Sequence, residues 1–357
     1  MNSTQHTLIE LIRHGIGQSD VCHISKGVDW QKTFSLSKTH GMAAIAFDGI
    51  SGCFEKGIDL DIDIDLKLDW IGKARKTEQR YFKHEKHVQE LASFFKKHGI
   101  RMMVLKGYGL SLNYPKPNHR PCGDIDIYLF GEQERADMLI QNELGIKIDK
   151  KHHHHTVFGF QGECVENHYD FLNVHVRKSN KRMEKLLKEL CHTYTTEDID
   201  NVYFPSVEFN TIYLLRHCAA HFASTEMTLR QVLDWGFFIQ KYHTKINWDE
   251  YLPYIKKEGM HRFYNLLGLF CVNYLGFEES IFHELKPDVL LERFSNEIMA
   301  PEFKDHEDGS LKKSLSVKPR RWWHNRWKNR LCYPDSAWSE FAYGLWAKIL
   351  KPSHFIQ

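Results

Sequence analysis

The sequence predicts an α+β protein, with a small mixed sheet and flanking helices embedded in helical N- and C-terminal regions. Apolar residues recur at helical spacing up to about residue 98 and again after residue 182, and short apolar runs of strand length lie between. The 357 residues and the 42% hydrophobic content suffice for two or three domains with real cores.

Residues 1–92 are expected to form a helical N-terminal region. A polar amphipathic run from about Leu66 to His98 predicts one long helix, and Gly99 stands where helices often end. The preceding run from Ile58 to Asp65 alternates acids with apolar residues and leads directly into that helix. We expect an acidic edge or helix cap there, with a calcium-binding loop as the less favoured alternative because EF-hand spacing is missing.

Residues 93–181 are expected to form the α+β core domain, which contains the sheet. Met102 to Leu105 and Gly123 to Phe130 predict two strands, and Thr156 to Phe160 with Cys164 to Val176 predicts a hairpin-like pair about Gln161-Gly162. Helical periodicity then returns, and residues 182–300 predict a helical domain packed on the sheet.

Residues 301–357 are expected to form a basic, tryptophan-rich C-terminal arm and helix. From Lys312 to Arg330 there are eight Lys or Arg residues and no acid, interleaved with Trp322, Trp323 and Trp327. Such an arm can contact nucleic acid or a membrane surface. The apolar stripe from Trp338 to Ile349 is more typical of a helix that docks on the protein's own core, which is the interpretation we favour.

Composition restricts the class of protein. The net charge of +2 gives no overall field that would indicate nucleic acid or a membrane. The eight cysteines are at least 27 residues apart, which excludes a CxxC motif and suits free thiols in a reducing cytoplasm. No signal-peptide pattern opens the sequence, and its most apolar segment, Phe263 to Phe277, is too short to span a bilayer. We expect a cytoplasmic protein without a transmembrane segment.

Two carboxylates stand two positions apart in an otherwise apolar strand. Because side chains alternate along a strand, Asp124 and Asp126 should share one face while Ile125 and Ile127 enter the core. Two like charges this close favour a cation between them, and hard oxygen ligands favour Mg²⁺ or Mn²⁺. This pattern points to phosphate chemistry.

A two-metal site for phosphoryl or nucleotidyl transfer needs a third carboxylate, which a neighbouring strand can supply. Glu166, His168 and Asp170 have the same parity and should share a face. Glu166 is our first choice of third ligand and Asp170 the reserve. His168 is expected to contact phosphate or to orient the acceptor.

A lysine, a glycine and an arginine precede the carboxylates and suit a triphosphate. Gly107 would let backbone amides approach the phosphates, and Lys106 and Arg120 would add positive charge. Each also has a simpler explanation. Lys106 can be a solvated lysine at a strand end, Gly107 a turn residue, and Arg120 the partner of a surface acid.

The histidines offer further metal-ligand candidates. Consecutive histidines alternate in direction, so the run His152 to His155 cannot all reach one ion without a tight bend, and we expect a polar loop near the substrate. His217 and His221 have i, i+4 spacing but lack the glutamate of a His-Glu-x-x-His motif. Packing is their expected role.

Several of these motifs occur together in one order. The set Leu105-Lys106-Gly107, Arg120, Gly123-Asp124-Ile125-Asp126 and Val165-Glu166-Asn167-His168 resembles the uncharacterised bacterial nucleotidyltransferase family of the DNA polymerase β superfamily. The segment Leu229 to Leu252 resembles that family's helical region, so the similarity extends over about residues 42–275. Tyr108 departs from the Gly-Ser or Gly-Gly usual in the superfamily.

The resemblance implies a polymerase-β-like nucleotidyltransferase core with an NTP donor and two Mg²⁺ or Mn²⁺ ions. The implied metal ligands are Asp124, Asp126 and Glu166, and the implied nucleotide-binding residues are Lys106, Gly107, Arg120, Gly123 and His168. The hypothesis is transfer of an NMP to a hydroxyl of a protein, RNA or small molecule, with release of pyrophosphate. The alternatives are a catalytically degenerate fold that binds nucleotide or nucleic acid, and phosphotransfer to a small molecule.

Overall fold

The fold contains a mixed β-sheet whose strands lie between residues 102 and 205. The computed structural model describes residues 1–21, 23–196, 199–224, 226–301 and 323–336. The strands within these residues are β1 Met102–Val104, β2 Ile125–Tyr128, β3 His155–Phe160, β4 Glu163–His168, β5 Tyr194–Thr196 and β6 Val202–Pro205. Their spatial order is β3-β4-β2-β1-β6-β5; β2 is parallel to β4 and β1 to β6, and the other neighbours are antiparallel.

Helices surround this sheet. The four that precede it are α1 Ser3–Gly15, α2 Trp30–Thr39, α3 Ala43–Glu55 and α4 Ile64–Lys97. Those between strands are α5 Gly107–Ser111, α6 Gln133–Leu144 and α7 Lys178–Leu190. Those that follow it are α8 Val207–Ser224, α9 Leu229–Tyr242, α10 Trp248–Lys257, α11 His261–Asn273, α12 Leu291–Met299 and α13 Arg326–Cys332. The predicted α+β class is confirmed.

The long helix α4 begins and ends where the sequence indicates. The Asp63 side chain caps its N-terminus by accepting hydrogen bonds from the backbone amides of Asp65 and Leu66. Gly99 follows its last turn with a φ of +69°, the left-handed conformation that glycine tolerates. The acidic run before α4 is therefore a helix cap, as expected.

The two faces of the sheet pack against different layers. Ile125 and Ile127 of β2 belong to a core that includes Leu91 of α4 and Ile140 of α6. Tyr128, of opposite parity, belongs to the second core, with the N-terminal helices and the helices from α8 onward. The alternation along β2 therefore points the residues of Asp126 parity toward α8.

The structure corrects two boundaries in the middle of the chain. The second hairpin strand ends at His168 rather than at Val176, because the amides of Phe171 and Leu172 donate to the Glu184 carboxylate, at 3.0 and 2.8 Å, instead of to a strand. The range 182–300 is mostly helical but also contains β5 and β6, which extend the sheet beyond residue 181. These strands of three and four residues are too short to show a period.

The described part of the C-terminal arm packs on the protein. Leu331 and Cys332 of α13 are buried in the core shared with α8 and α11. Lys328 is buried as well, with its ammonium 2.5 Å from Glu297 Oε1, whereas Trp323 is 67% exposed. Trp322 and the stripe from Trp338 to Ile349 lie outside the described residues. Across the described ranges, no helix combines the length and the apolar character needed to cross a membrane.

Candidate functional site

A cavity of about 410 Å³ lies between the sheet and helices α8 and α9, within the size range of small-molecule sites. Eight residues singled out in the sequence line it, namely Lys106, Gly107, Arg120, Gly123, Asp124, Asp126, Glu166 and His168. The fold therefore brings together residues that are up to 62 positions apart in the sequence. Their chemical roles remain predictions.

The parallel pairing of β2 with β4 aligns the acidic residues. Asp126 is the register partner of Glu166, and Tyr128 is the partner of His168. Because residues two apart share a face, Asp126, Glu166 and His168 all point into the cavity. Asp124 precedes β2 and stays exposed at the cavity wall.

The Asp126 carboxylate is held between two cationic side chains. The Lys106 ammonium lies 2.8 Å from Asp126 Oδ1, and His168 Nε2 donates to the same oxygen at 2.9 Å. His168 Nδ1 lies 3.2 Å from the Asp170 carbonyl oxygen, which can only accept. Since both ring nitrogens of His168 face acceptors, the imidazole is doubly protonated in this arrangement.

The surroundings shift the pKa values of Asp126 and Asp124 in opposite directions. Burial opposes the ionisation of Asp126, but the Lys106 charge and the His168 hydrogen bond outweigh it and hold the Asp126 pKa well below its usual range. Burial and the charges of Glu166 and Asp126 raise the pKa of Asp124. The repulsion that raises it is the kind that a bound cation relieves.

Lys106 reaches Asp126 from a backbone that few residues other than glycine adopt. Its φ is +40°, and the φ of Gly107 is +35°. A positive φ in a residue with a Cβ costs on the order of 1–3 kcal/mol and is often found at functional sites. An added Cβ at position 107 would meet only Asp124 O, at 3.6 Å, which is an ordinary contact. The positive φ, rather than a lack of space, therefore favours glycine there.

Arg120 is bound to another residue rather than free for phosphate. Its Nε and Nη2 donate to the two carboxylate oxygens of Asp234 at 2.7 and 2.8 Å, and the Tyr114 hydroxyl donates to Asp234 Oδ1 at 2.8 Å. Arg120 is only 3% exposed. The expectation that Arg120 binds the triphosphate is thus weakened, and a simple surface ion pair is excluded.

Arg230 also lines the cavity, although it was not among the site residues predicted from the sequence. It stands in the first turn of α9, and its guanidinium makes no hydrogen bond or ion pair with any residue in the described ranges. Its i, i+4 spacing to Asp234, the partner of Arg120, is the sequence signal that links it to the site.

Asp170 and Tyr108 lie away from the centre of the cavity. The Asp170 carboxylate is 3.6 Å from the Lys188 ammonium, and the Asp170 amide donates to His154 O. The Tyr108 ring is buried in the core under the sheet, and its hydroxyl donates to Glu85 at 2.8 Å. The geometry therefore favours Glu166 over Asp170 as a ligand, and it leaves no hydroxyl of Tyr108 for phosphate.

Four further histidines line the cavity, two from the run expected near the substrate and two from the helix where only packing was expected. His155 is the first residue of β3 and His154 directly precedes it, and His217 and His221 come from α8. Tyr213, His217 and His221 follow at i, i+4 and i+8, so one face of α8 meets the cavity. That spacing, continued over three residues, was the available signal.

Two groups of ligand atoms among the described residues are close enough to hold a metal ion. The first is Asp126, Glu166 and His168, and the second is His154, His155 and His168. Within each group the atoms lie within 4.8 Å of one another. The carboxylate group fits a hard divalent cation, while the histidine group fits a softer one.

Comparison with known proteins identifies one family. A family model described as an uncharacterised nucleotidyltransferase matches residues 26–276, which is more than half of the chain and includes all the residues discussed above as cavity lining. Neither the curated proteins nor the solved structures contain a significant match.

Proposed function

Because the chain belongs to the uncharacterised nucleotidyltransferase family, we propose that it transfers an NMP from an NTP donor to a hydroxyl group of an acceptor, with release of pyrophosphate. The acceptor is a protein, an RNA or a small molecule. The observation that carries the proposal is the alignment of Asp126 with Glu166 on adjacent parallel strands, beside Asp124, in a cavity that also holds cationic side chains.

Asp124, Asp126 and Glu166 are the residues that would hold two Mg²⁺ or Mn²⁺ ions. The mutual repulsion of these carboxylates and the closeness of the Asp126, Glu166 and His168 ligand atoms support this assignment. Ions bound there would neutralise phosphate charge and increase the acidity of the attacking hydroxyl.

The protein's own cations would bind the triphosphate. Arg230 faces the cavity without a carboxylate partner and suits bidentate phosphate contacts. Lys106 neutralises Asp126 in the nucleotide-free arrangement and can turn toward a phosphate once a metal ion takes over that carboxylate. Arg120, held by Asp234, would support the wall from which Arg230 acts.

A transfer assay tests the proposal with a matched pair of double variants. Asp124→Asn/Asp126→Asn removes two carboxylate charges from the cavity, and Asp59→Asn/Asp61→Asn removes two from the exposed run before α4. We expect the first variant to lose transfer of label from an NTP to cell-extract fractions by at least about 10²-fold, because charge stabilisation at the reacting phosphate is lost. The second should match the wild type.

The comparison requires that both variants are folded. Circular dichroism melting in EDTA establishes that the asparagine variant is folded. Label transfer that persists in the folded Asp124→Asn/Asp126→Asn protein would contradict the site assignment.

A nucleotide-binding module without catalysis is the second candidate. It is favoured by the burial of Tyr108, which leaves the Lys106-Gly107 turn without the hydroxyl that a serine would provide at the next position. Under this alternative the wild type binds NTP in a metal-dependent manner, yet no acceptor fraction gains label.

A further inference from the structure

Three imidazoles converge on one side of the cavity. The rings of His154 and His155 have centroids 4.4 Å apart, and that of His168 lies 5.6 and 5.1 Å from them. One ligand nitrogen from each can be chosen so that all three lie within 4.8 Å of one another. Neighbouring strands produce this cluster, because His155 of β3 is the register partner of His168 of β4.

Two of the three rings, those of His154 and His155, have buried nitrogens without hydrogen-bond partners among the described residues. His155 is 6% exposed, and neither of its ring nitrogens has a hydrogen-bond partner in the described part of the chain. His154 Nδ1 is buried without a partner as well. A buried polar atom without a partner costs about 1–3 kcal/mol, so three such atoms at one place indicate a missing ligand.

The spacing of the neighbouring carboxylate completes a four-ligand set. Glu166 Oε1 lies 3.7 Å from His155 Nε2, and Glu166 Oε2 lies 3.4 Å from His168 Nε2. Ligand atoms at about 2.0–2.1 Å from a tetrahedral zinc ion are about 3.4 Å from one another. The two observed separations are close to that value.

We propose that His154, His155, His168 and Glu166 form a binding site for a borderline divalent ion of the Zn²⁺ class, which would displace the proton that His168 Nε2 donates to Asp126. Imidazole nitrogen selects such ions over Mg²⁺, which prefers oxygen ligands. Nδ1 of His154 and both ring nitrogens of His155 have no hydrogen bond to a described residue that would compete with a metal ion. The zinc set shares Glu166 and His168 with the proposed transfer site. Zinc binding and label transfer are nevertheless measured separately.

The test uses the full chain, purified without a histidine tag, and Zn²⁺ as the probe. X-ray absorption at the zinc edge of the wild type should show imidazole nitrogens at about 2.0–2.1 Å. Competition with a chromogenic chelator should give His154→Ala/His155→Ala at least about tenfold weaker zinc binding. The matched control is His153→Ala/His175→Ala, whose rings lie 6.0 Å apart within the same region and outside the four-ligand set.

A zinc spectrum without imidazole ligation would overturn the proposal, and it requires no variant to fold. Equal zinc affinity of His154→Ala/His155→Ala and the wild type would also overturn it. Asp124→Asn separates this site from the transfer site, since it should keep zinc affinity while losing label transfer. Absence of label transfer by the zinc-free wild type, together with the expected zinc binding in a separate sample, would count against the proposed function alone.

Discussion

Two arginines at the cavity illustrate how the surroundings of a residue set its role. Arg120 shares both carboxylate oxygens of Asp234 and is buried, so its charge is already compensated. Arg230 lies one helical turn before Asp234 on α9 and faces the cavity without such a partner. A cation without a partner beside clustered carboxylates suits an anionic ligand, and under the proposed function that ligand is the triphosphate.

Arg230→Ala should weaken NTP binding without a matching loss of stability. A hydrogen bond from a charged group contributes about 1.5–3 kcal/mol, which corresponds to a roughly 10- to 100-fold higher Kd. Titration calorimetry with NTP and Mn²⁺ measures the Kd, and Arg75→Ala on the exposed side of α4 is the control. Arg120→Ala should instead lower the melting temperature, since it strands the buried Asp234 carboxylate. Unchanged NTP affinity in Arg230→Ala would refute the assignment.

The N-terminal helices show how two elements can require glycine at their contact. A Cβ on Gly49 of α3 would lie 2.0 Å from Leu11 O of α1, and one on Gly15 would lie 2.2 Å from Ile45 O. The backbones of α1 and α3 therefore approach too closely for any other residue. Gly72 in α4 differs, because a Cβ there would meet nothing within 4 Å.

Opposite effects on stability are expected from alanine at these two glycines. Gly49→Ala should destabilise by about 1–3 kcal/mol through backbone overlap between α1 and α3. Gly72→Ala should stabilise by roughly 0.5–1 kcal/mol, because alanine loses less backbone entropy in a helix. Urea unfolding of both variants measures the two free energies. Equal effects of the same sign would show that α1 and α3 are not in this contact.

At the scale of the whole molecule, the described C-terminal segment, residues 323–336, is hydrogen-bonded to α8. Arg216 of α8 is fully buried; it donates to Cys332 O at 2.8 Å, to Ser179 Oγ at 2.6 Å and to Asn180 Oδ1 at 3.1 Å. These bonds join α8 to α7 and to the end of α13, about 116 positions further along the chain. Within residues 323–336 the arm therefore packs, through α13, on α8 and α11.

Leu331→Ala tests whether this segment contributes to the core. Leu331 is 4% exposed, so its truncation should cost about 2–5 kcal/mol of unfolding free energy. Trp323→Ala removes a larger side chain that is 67% exposed, and we expect a change within about 0.5 kcal/mol. Denaturant unfolding compares them. A wild-type midpoint for Leu331→Ala would mean that the arm is not docked in solution.

Much of the fold follows from local patterns. The helix from Ile64 to Lys97, its cap and the alternation of Asp124 and Asp126 with apolar neighbours depend on residues close in sequence, so the sequence predicts them. The strands β5 and β6 were not predicted, because short strands become ordered through pairing with a distant partner. Here β6 pairs with β1, about 100 positions earlier in the chain.

In the candidate site, too, some features follow from local sequence and others depend on distant contacts. The sequence by itself determined a set of candidate site residues, since strand alternation and motif order are local properties, and eight of these residues line one cavity. Only the tertiary structure decided which acid and which cations face that cavity. Glu166 points inward while Asp170 meets Lys188, Arg120 is bound to Asp234, and His155 meets His168 across the strands. Such pairings join residues far apart in sequence, and packing alone selects them.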